Sequence, residues 1–308
     1  MKKKIVVVMG GTSKEREISK KSGYACIKAL KELGYKVKIF DPKKKKLNRI
    51  IKYKNHIIFN ALHGKGGEDG IAQSYFEFFN IPYTHSGIIS SINAMDKLIS
   101  KKIFLNNKIL TPKYFDISQN EYNDIFLSQS IKKKHFKFPI VAKPINEGSS
   151  IGVKILKNFK VLKFEVKNLL KKYQHIIIEE FIPGQEIQVA VLNNKALGAI
   201  ELKPKRKFYD YKAKYNKSAK TQHIMPADID KKSYLEVCKI AERVHKIMKC
   251  RGVTRSDFKF HNGKFFILEL NTQPGMTNLS LVPEIARYKK ISFKKLVKNI
   301  VLDADVNK

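Results

Sequence analysis

Acidic residues are scarce in this chain: 27 Asp and Glu stand against 62 Lys and Arg, a formal net charge of +35 over 308 residues. Such an imbalance raises the question of a nucleic-acid or anionic-membrane partner. The lysine clusters (Lys43 to Lys46, Lys132 to Lys134, Lys289-Lys290) lie on separate segments, however, and no motif interleaves them with aromatics as an RNA-binding surface would. The excess reads as lysine placed wherever a solvated residue is needed, with at most a weak, salt-dependent gathering of anionic substrates. No nucleic-acid or membrane partner is expected. Cysteine is also sparse. Cys26, Cys238 and Cys250 are widely spaced and odd in number, which argues against a cysteine metal cluster and suits a reducing compartment. No apolar run approaches the length of a transmembrane helix. The basic start at Lys2 to Lys4 leads into an apolar run that stops at Gly10-Gly11, too short for a signal peptide, so a cytoplasmic location is expected. Two nucleotide-binding signatures are missing as well: neither G-x-G-x-x-G nor G-x-x-x-x-G-K-[ST] occurs.

A chain of this length suggests two or three lobes around a shared cleft. Hydrophobic periodicity predicts strands at 5–9, 37–40 and 57–60, with helices over 18–33 and 71–79, the β-α-β rhythm of an open α/β layer. One connecting helical stretch is expected from Ile92 to Phe104. Strands at 139–143, 153–156 and 176–181 with a helix over 159–172 follow. A strand-rich last part has strands at 186–192, 196–203, 222–226, 253–260 and 265–271, and helices over 234–248 and 293–302. The expected organisation is an N-terminal lobe (1–95), a central lobe (96–185) and a C-terminal lobe (186–308).

Several loops carry more than turn chemistry. Gly10-Gly11-Thr12-Ser13-Lys14-Glu15 follows the first strand, where α/β sheets bind ligands. Thr12-x-x-Glu15 also fits a helix capping box, and both readings of Glu15 stand at this point. His63-Gly64-Lys65-Gly66-Gly67-Glu68-Asp69-Gly70 is dense enough in glycine to suggest close approach of backbone to ligand, with His63 either structural or a donor to a carboxylate. Lys143-Pro144-Ile145-Asn146-Glu147-Gly148-Ser149-Ser150-Ile151-Gly152 lies between two strands and could cradle phosphate oxygens. The stretch from Glu179 through Phe181 and Ile182 to Glu186 offers apolar surface and carboxylates suited to an adenine and a ribose, though a linker between lobes would look similar. Tyr209 to Tyr215 reads either as an exposed charged loop or as a lid closing on phosphates.

Thr254 to Leu281 is the richest stretch. Asp257, Glu269 and Asn271 offer oxygen ligands from the ends of two adjacent strands, a donor set that suits Mg²⁺. Arg255, two residues before Asp257, shares its face and equips the site for phosphate and developing negative charge. There is one geometric condition. A strict two-residue hairpin at Asn262-Gly263 would pair Asp257 with Leu268 and turn Glu269 to the opposite face. The metal reading therefore requires a three-residue loop or a bulge that shifts the pairing by one.

Taken together these motifs resemble the D-alanine–D-alanine ligase family of the ATP-grasp superfamily over nearly the whole chain. They are Gly10-Gly11-Thr12-Ser13-x-Glu15-Arg16-Glu17, His63-Gly64-x-Gly66-Gly67-Glu68-Asp69-Gly70, Met95-Asp96-Lys97, Lys143-Pro144-x-x-Glu147-Gly148-Ser149-Ser150-x-Gly152, Tyr209-Asp210-Tyr211-x-Ala213-Lys214-Tyr215 and Glu269-x-Asn271-Thr272-x-Pro274-Gly275-Met276-Thr277. The resemblance implies an ATP-grasp fold preceded by a Rossmann-like open α/β lobe, and ATP-dependent joining of two D-alanines through an acyl phosphate for peptidoglycan synthesis. It implies two Mg²⁺ ions, for which Mn²⁺ could substitute, on Asp257, Glu269 and Asn271, and ATP held by Lys97, Lys143, Ser150, Glu179, Glu180, Phe181, Ile182, Glu186 and Lys214. Glu15 would meet the ammonium of the first D-alanine, with His63 beside it. Ser280 and Leu281 would contact the carboxylate of the second. Ser149 and Tyr215, linked with Glu15, would orient the loops, and Arg255 with the Gly275 N–H would stabilise the tetrahedral oxyanion. The resemblance associates tyrosine at 215 with D-alanine as second substrate, and it implies a homodimer. The chain departs from its relatives at Phe181, where a larger aromatic is common.

Overall fold

The structure, a computed structural model, describes residues 4–204, 221–277 and 279–306. The chain opens with β1 (Lys4–Val8), α1 (Arg16–Glu32), β2 (Lys36–Phe40) and, after a 3₁₀ segment at Leu47–Tyr53, β3 (Ile57–Asn60). These strands form a parallel sheet in the order β2-β1-β3. The central strand β1 has no polar alternation because both of its faces are covered. Ile5 and Val7 enter a core shared with α1, and Val6 and Val8 enter another with the 3₁₀ segment and α2 (Ile71–Phe78). Gly34, with φ +83°, follows the last turn of α1 in the left-handed region that ends helices.

The expected single helix from Ile92 to Phe104 is two helices, α3 (Ile88–Met95) and α4 (Lys97–Asn106). Asp96 separates them. Its backbone is extended, and its carboxylate accepts from the N–H groups of Leu98 and Ile99 as a helix N-cap. The break sets Lys97 at the first position of a new helix, facing the cleft.

The second sheet is antiparallel in the order β4-β7-β5-β6, from β4 (Tyr114–Ser118), β5 (Ile140–Pro144), β6 (Lys154–Leu156) and β7 (His175–Glu180). One face packs Ile140, Ala142, Ile176 and Ile178 against α5 (Asp124–Lys133) and α6 (Phe159–Tyr173). Strand alternation sends Val141, Lys143 and Glu179 to the other face. The third sheet runs β10-β9-β8-β11-β12, from β8 (Gln185–Leu192), β9 (Lys195–Lys203), β10 (Gln222–Ile224), β11 (Val253–His261) and β12 (Lys264–Asn271). Helix α7 (Lys231–Ile247) covers one face through Val237, Ala241 and Val244. The other face shares a core with α8 (Leu281–Tyr288), α9 (Phe293–Leu302), α1 and β1. The last helix thus returns to the first layer. β4, α5 and α8 were not expected from sequence.

The hairpin at Asn262-Gly263 resolves the register condition. Both residues take positive φ, 47° and 71°, and the turn is the strict two-residue kind, with His261 opposite Lys264 and Phe260 opposite Phe265. The shift comes higher up. Phe258 pairs with Ile267 but Asp257 pairs with Glu269, so Leu268 is the extra residue of a β-bulge. Asp257 and Glu269 are therefore direct cross-strand partners on one face.

Candidate functional site

Two pockets lie side by side between the sheets. The first is bounded by the facing surfaces of the second and third sheets. Lys143 and Glu179 come from one, Glu186, Asp257 and Glu269 from the other, and Phe181 and Ile182 from the link that joins them. Lys97, Ser150 and Glu180 also line it. Leu268, which sequence reasoning missed, is there because the bulge turns two consecutive side chains, Leu268 and Glu269, toward the cleft. The buried positions record the bulge: Phe265, Ile267 and Leu270 are spaced by two and then by three, a break in strand alternation.

Glu179 is buried between two lysines, Lys101 Nζ at 3.0 Å and Lys143 Nζ at 2.8 Å. Burial opposes ionisation of Glu179, but the two ammonium groups outweigh it and hold its carboxyl below the usual range. Lys101 is fully buried. Burial, reinforced by the charges of Lys143 and Lys97, pushes it down to about 8 against the pull of Glu179. Two cations thus share one carboxylate; Lys143 lines the pocket, and Lys101 lies buried behind it. Lys101, on the same face of α4 as Lys97 one turn earlier, was not singled out from the sequence. Its Nζ also donates to Thr111 Oγ1 at 2.5 Å.

The loop between β5 and β6 closes over this pocket. Lys97 Nζ donates to the carbonyl of Glu147 at 2.6 Å, and Lys14 pairs with the Glu147 carboxylate at 2.6 Å. Ser149 and Ser150 hold consecutive left-handed conformations, φ 50° and 59°. Strain of this kind is characteristic of ligand-gripping loops.

The second pocket brings together Glu15, His63, Ser149, Arg255, Gly275, Ser280 and Leu281. Glu68, Gly148, Asn271 and Gln188 line it too. A smaller cavity lined by Glu68, Gly148, Asn271, Lys97, Glu147 and Glu269 connects the two. Glu15 is 6% exposed and accepts from Ser149 Oγ. Two glycines give its carboxylate room: a Cβ on Gly64 would lie 2.5 Å from Glu15 Oε2, and one on Gly148 would lie 3.1 Å away. The capping-box reading of Glu15 is overturned. Helix α1 starts at Arg16, Glu15 is itself the N-cap residue, and its carboxylate reaches across to Ser149 instead of back to Thr12. What fixes the glycine loop is Asp41, which accepts from Gly11 N and from Arg16 Nη1 and Nη2.

His63 is buried, with Nδ1 3.1 Å from Glu68 Oε1 and Nε2 3.1 Å from Ser22 Oγ. Burial opposes its protonation, but the hydrogen bond and charge of Glu68, with the charge of Glu15, outweigh it and raise its pKa. Arg255 donates Nε and Nη2 to the two oxygens of Asp257 at 2.7 and 2.9 Å. Gln273 ties the β12–α8 loop to the β3 end, donating to Leu62 O and accepting from Asn60 Nδ2. Lys214 and Tyr215, with the rest of the 209–215 segment, lie outside the described residues.

Asp257, Glu269 and Asn271 fit a hard divalent cation in chemistry and placement. The two carboxylates are cross-strand partners, and Asn271 donates Nδ2 to the Arg255 carbonyl, so that bond does not consume its acceptor oxygen. Arg255 and, at 3.9 Å, Lys97 partly neutralise the carboxylates.

Two sheets closing on a pocket of lysines and carboxylates, behind an open parallel α/β layer, define an ATP-grasp fold. Comparison with solved structures agrees: a D-alanine–D-alanine ligase from Bacillus anthracis complexed with ATP superposes with a TM-score of 0.85 at 30% identity, covering 98% of this chain and 97% of that one. Residues 104–302 match the family described as D-ala D-ala ligase C-terminus. The D-alanine–D-alanine ligase of Pelagibacter ubique is 57% identical over the full length of both chains. That of Rickettsia felis is 42% identical over 98% of this chain and 92% of its own. The chain belongs to the D-alanine–D-alanine ligase family.

Proposed function

We propose that this protein joins two D-alanine molecules into D-alanyl-D-alanine, releasing ADP and phosphate, as a step in making peptidoglycan precursors. The observation that carries this reading is the adjacency of two pockets. One is rich in lysine and carboxylate and suits a nucleotide. The other presents a buried carboxylate, a raised histidine and an arginine to a small zwitterion.

A carboxylate is a poor acyl donor because its oxygen leaves badly. Transfer of the terminal phosphoryl group of ATP to the first D-alanine converts that oxygen into a phosphate leaving group. Lys97 and Lys143, with Lys214 and the Ser150 loop, hold the phosphates. Glu179, Glu180, Phe181, Ile182 and Glu186 surround adenine and ribose, and Leu268 packs beside them. Asp257, Glu269 and Asn271 would hold two Mg²⁺ ions, which supply charge neutralisation for the phosphates. Glu15 meets the first ammonium, and His63 helps place that substrate. Ser280 and Leu281, at the start of α8, meet the second carboxylate, where helix N–H groups favour an anion. The second amine, once deprotonated, attacks the acyl carbon. Arg255 and the N–H of Gly275 stabilise the oxyanion, and phosphate departs. Ser149, linked to Glu15, and Tyr215 close the loops against water, which would otherwise hydrolyse the acyl phosphate.

The proposal extends to three lobes (1–95, 96–185 and 186–308) meeting at this cleft, to a cytoplasmic location and to a homodimer. Ile71, Tyr75 and Phe78 on α2 with Ile89 and Ile92 on α3 are exposed, an apolar surface a second copy would cover. None of the described helices is long and apolar enough to cross a membrane. The test of function is phosphate release from ATP with D-alanine and Mg²⁺, set against L-alanine. Release with D-alanine but not L-alanine is expected, and turnover with neither would refute the reading.

A further inference from the structure

Gln188 is fully buried on β8, yet neither its Nε2 nor its Oε1 has a hydrogen-bond partner among the described residues. An unsatisfied carboxamide in the interior is costly, and natural cores rarely keep one without a reason. Its placement supplies the reason. Gln188 is in register with Asp257 on one side and Ile200 on the other, so it shares their face of the sheet, and it lines the second pocket. On that face Ile200 belongs to the same core as Leu281, the first residue of α8. The carboxamide therefore sits in the pocket wall between the Arg255–Asp257 pair and the N-terminus of α8. Ser280, the N-cap residue there, makes no side-chain bond to the helix N–H groups.

We infer that Gln188 is a binding residue for the second amino acid, donating Nε2–H to its carboxylate beside the N-terminus of α8. The inference rests on the ligase reading and adds a residue to it. Arg255 gives two of its five N–H donors to Asp257, and the Gln188 carboxamide adds an unpaired neutral donor on this face. A neutral donor can release the product carboxylate more readily than a second arginine would. The price of the arrangement is an unpaired carboxamide whenever substrate is absent.

The test compares wild type with Gln188→Met, close in volume but unable to hydrogen-bond, and with Gln188→Glu, close in shape but repelling a carboxylate. D-alanine enters twice, so the D-alanine dependence of phosphate release at saturating Mg²⁺ and ATP reports two KM values. Q188M should raise the one that belongs to the second D-alanine about tenfold or more, the effect of losing a hydrogen bond to a charged group, and leave the other and the KM for ATP unchanged. Q188E should raise it further. Without ligand, Q188M should melt about 1–3 °C higher, because it removes a buried unsatisfied group. An unchanged D-alanine dependence in both variants, or a ligand-free Q188M that melts lower, overturns the inference. If Q188M does not fold, Q188E alone decides by the same KM. Wild type inactive on D-alanine would instead refute the ligase reading itself, so the two failures are distinguishable.

Discussion

Glu179 and its two lysines make an asymmetric prediction. Glu179→Gln leaves Lys101 and Lys143 facing each other in a buried place with no carboxylate between them. Breaking a buried ion pair from one side costs about 3–5 kcal/mol. With an unfolding entropy of about 2.1 cal/mol/K per residue, that is a fall of roughly 5–8 °C in melting temperature for a chain of this size. Lys101→Met should behave differently. It removes the surplus cation and leaves Lys143 paired with Glu179 at 2.8 Å, and Thr111 Oγ1 keeps its bond to the Ile267 carbonyl. Its cost should stay within about 1–2 kcal/mol, the range of an ordinary hydrogen-bond loss. Thermal unfolding of both variants, followed by circular dichroism with and without ATP, checks this. Equal destabilisation would refute the reasoning, because it would mean that the lysines do not compete for one carboxylate. ATP should protect wild type more than E179Q, since Glu179 faces the nucleotide pocket.

Other outcomes follow from the same geometry. Gly64→Ala places a methyl group 2.5 Å from Glu15 Oε2 at φ +69°, so kcat/KM for D-alanine should fall about 100-fold or more while the fold persists; near-normal activity would contradict the role given to Glu15. The raised pKa of His63 contributes stability that is complete below the ordinary imidazole value of 6.5 and is lost as pH rises through the higher folded value. Glu68→Gln removes the largest of the influences that outweigh burial, so it should lower the His63 pKa, read by NMR titration, and reduce that alkaline loss in thermal melts. Phe78, 79% exposed, is the most exposed of the apolar side chains on α2, and Phe78→Glu should shift a dimer to monomer in sedimentation without altering the melting of the isolated subunit.

Much of the fold was legible because its elements follow local rules. The strand at 57–60 and the helix at 293–302 match the observed β3 and α9 residue for residue, since each has a clean apolar pattern bounded by turn residues. The helix break at Asp96 was missed because apolar spacing runs straight through it, while the capping bond that makes it depends on one carboxylate rotamer. β4 was missed because a five-residue edge strand acquires its identity from its neighbour β7. At the site, the residues on loops could be named from their motifs. Lys101 and Gln188 could not, because each looks like an ordinary polar residue within a helix or strand until tertiary structure buries it. The register of Asp257 and Glu269 was posed as a condition by the sequence, but where the shift falls, at Leu268 and not in the turn, depends on the whole hairpin.

The central claim is that the two pockets carry one reaction, in which the carboxylate of the first D-alanine is phosphorylated before the second attacks. D-alanine labelled with ¹⁸O in its carboxyl group tests it, with Mg²⁺ and ATP and mass analysis of the phosphate released. The account predicts one ¹⁸O in the phosphate for every dipeptide formed. Unlabelled phosphate alongside dipeptide would contradict it.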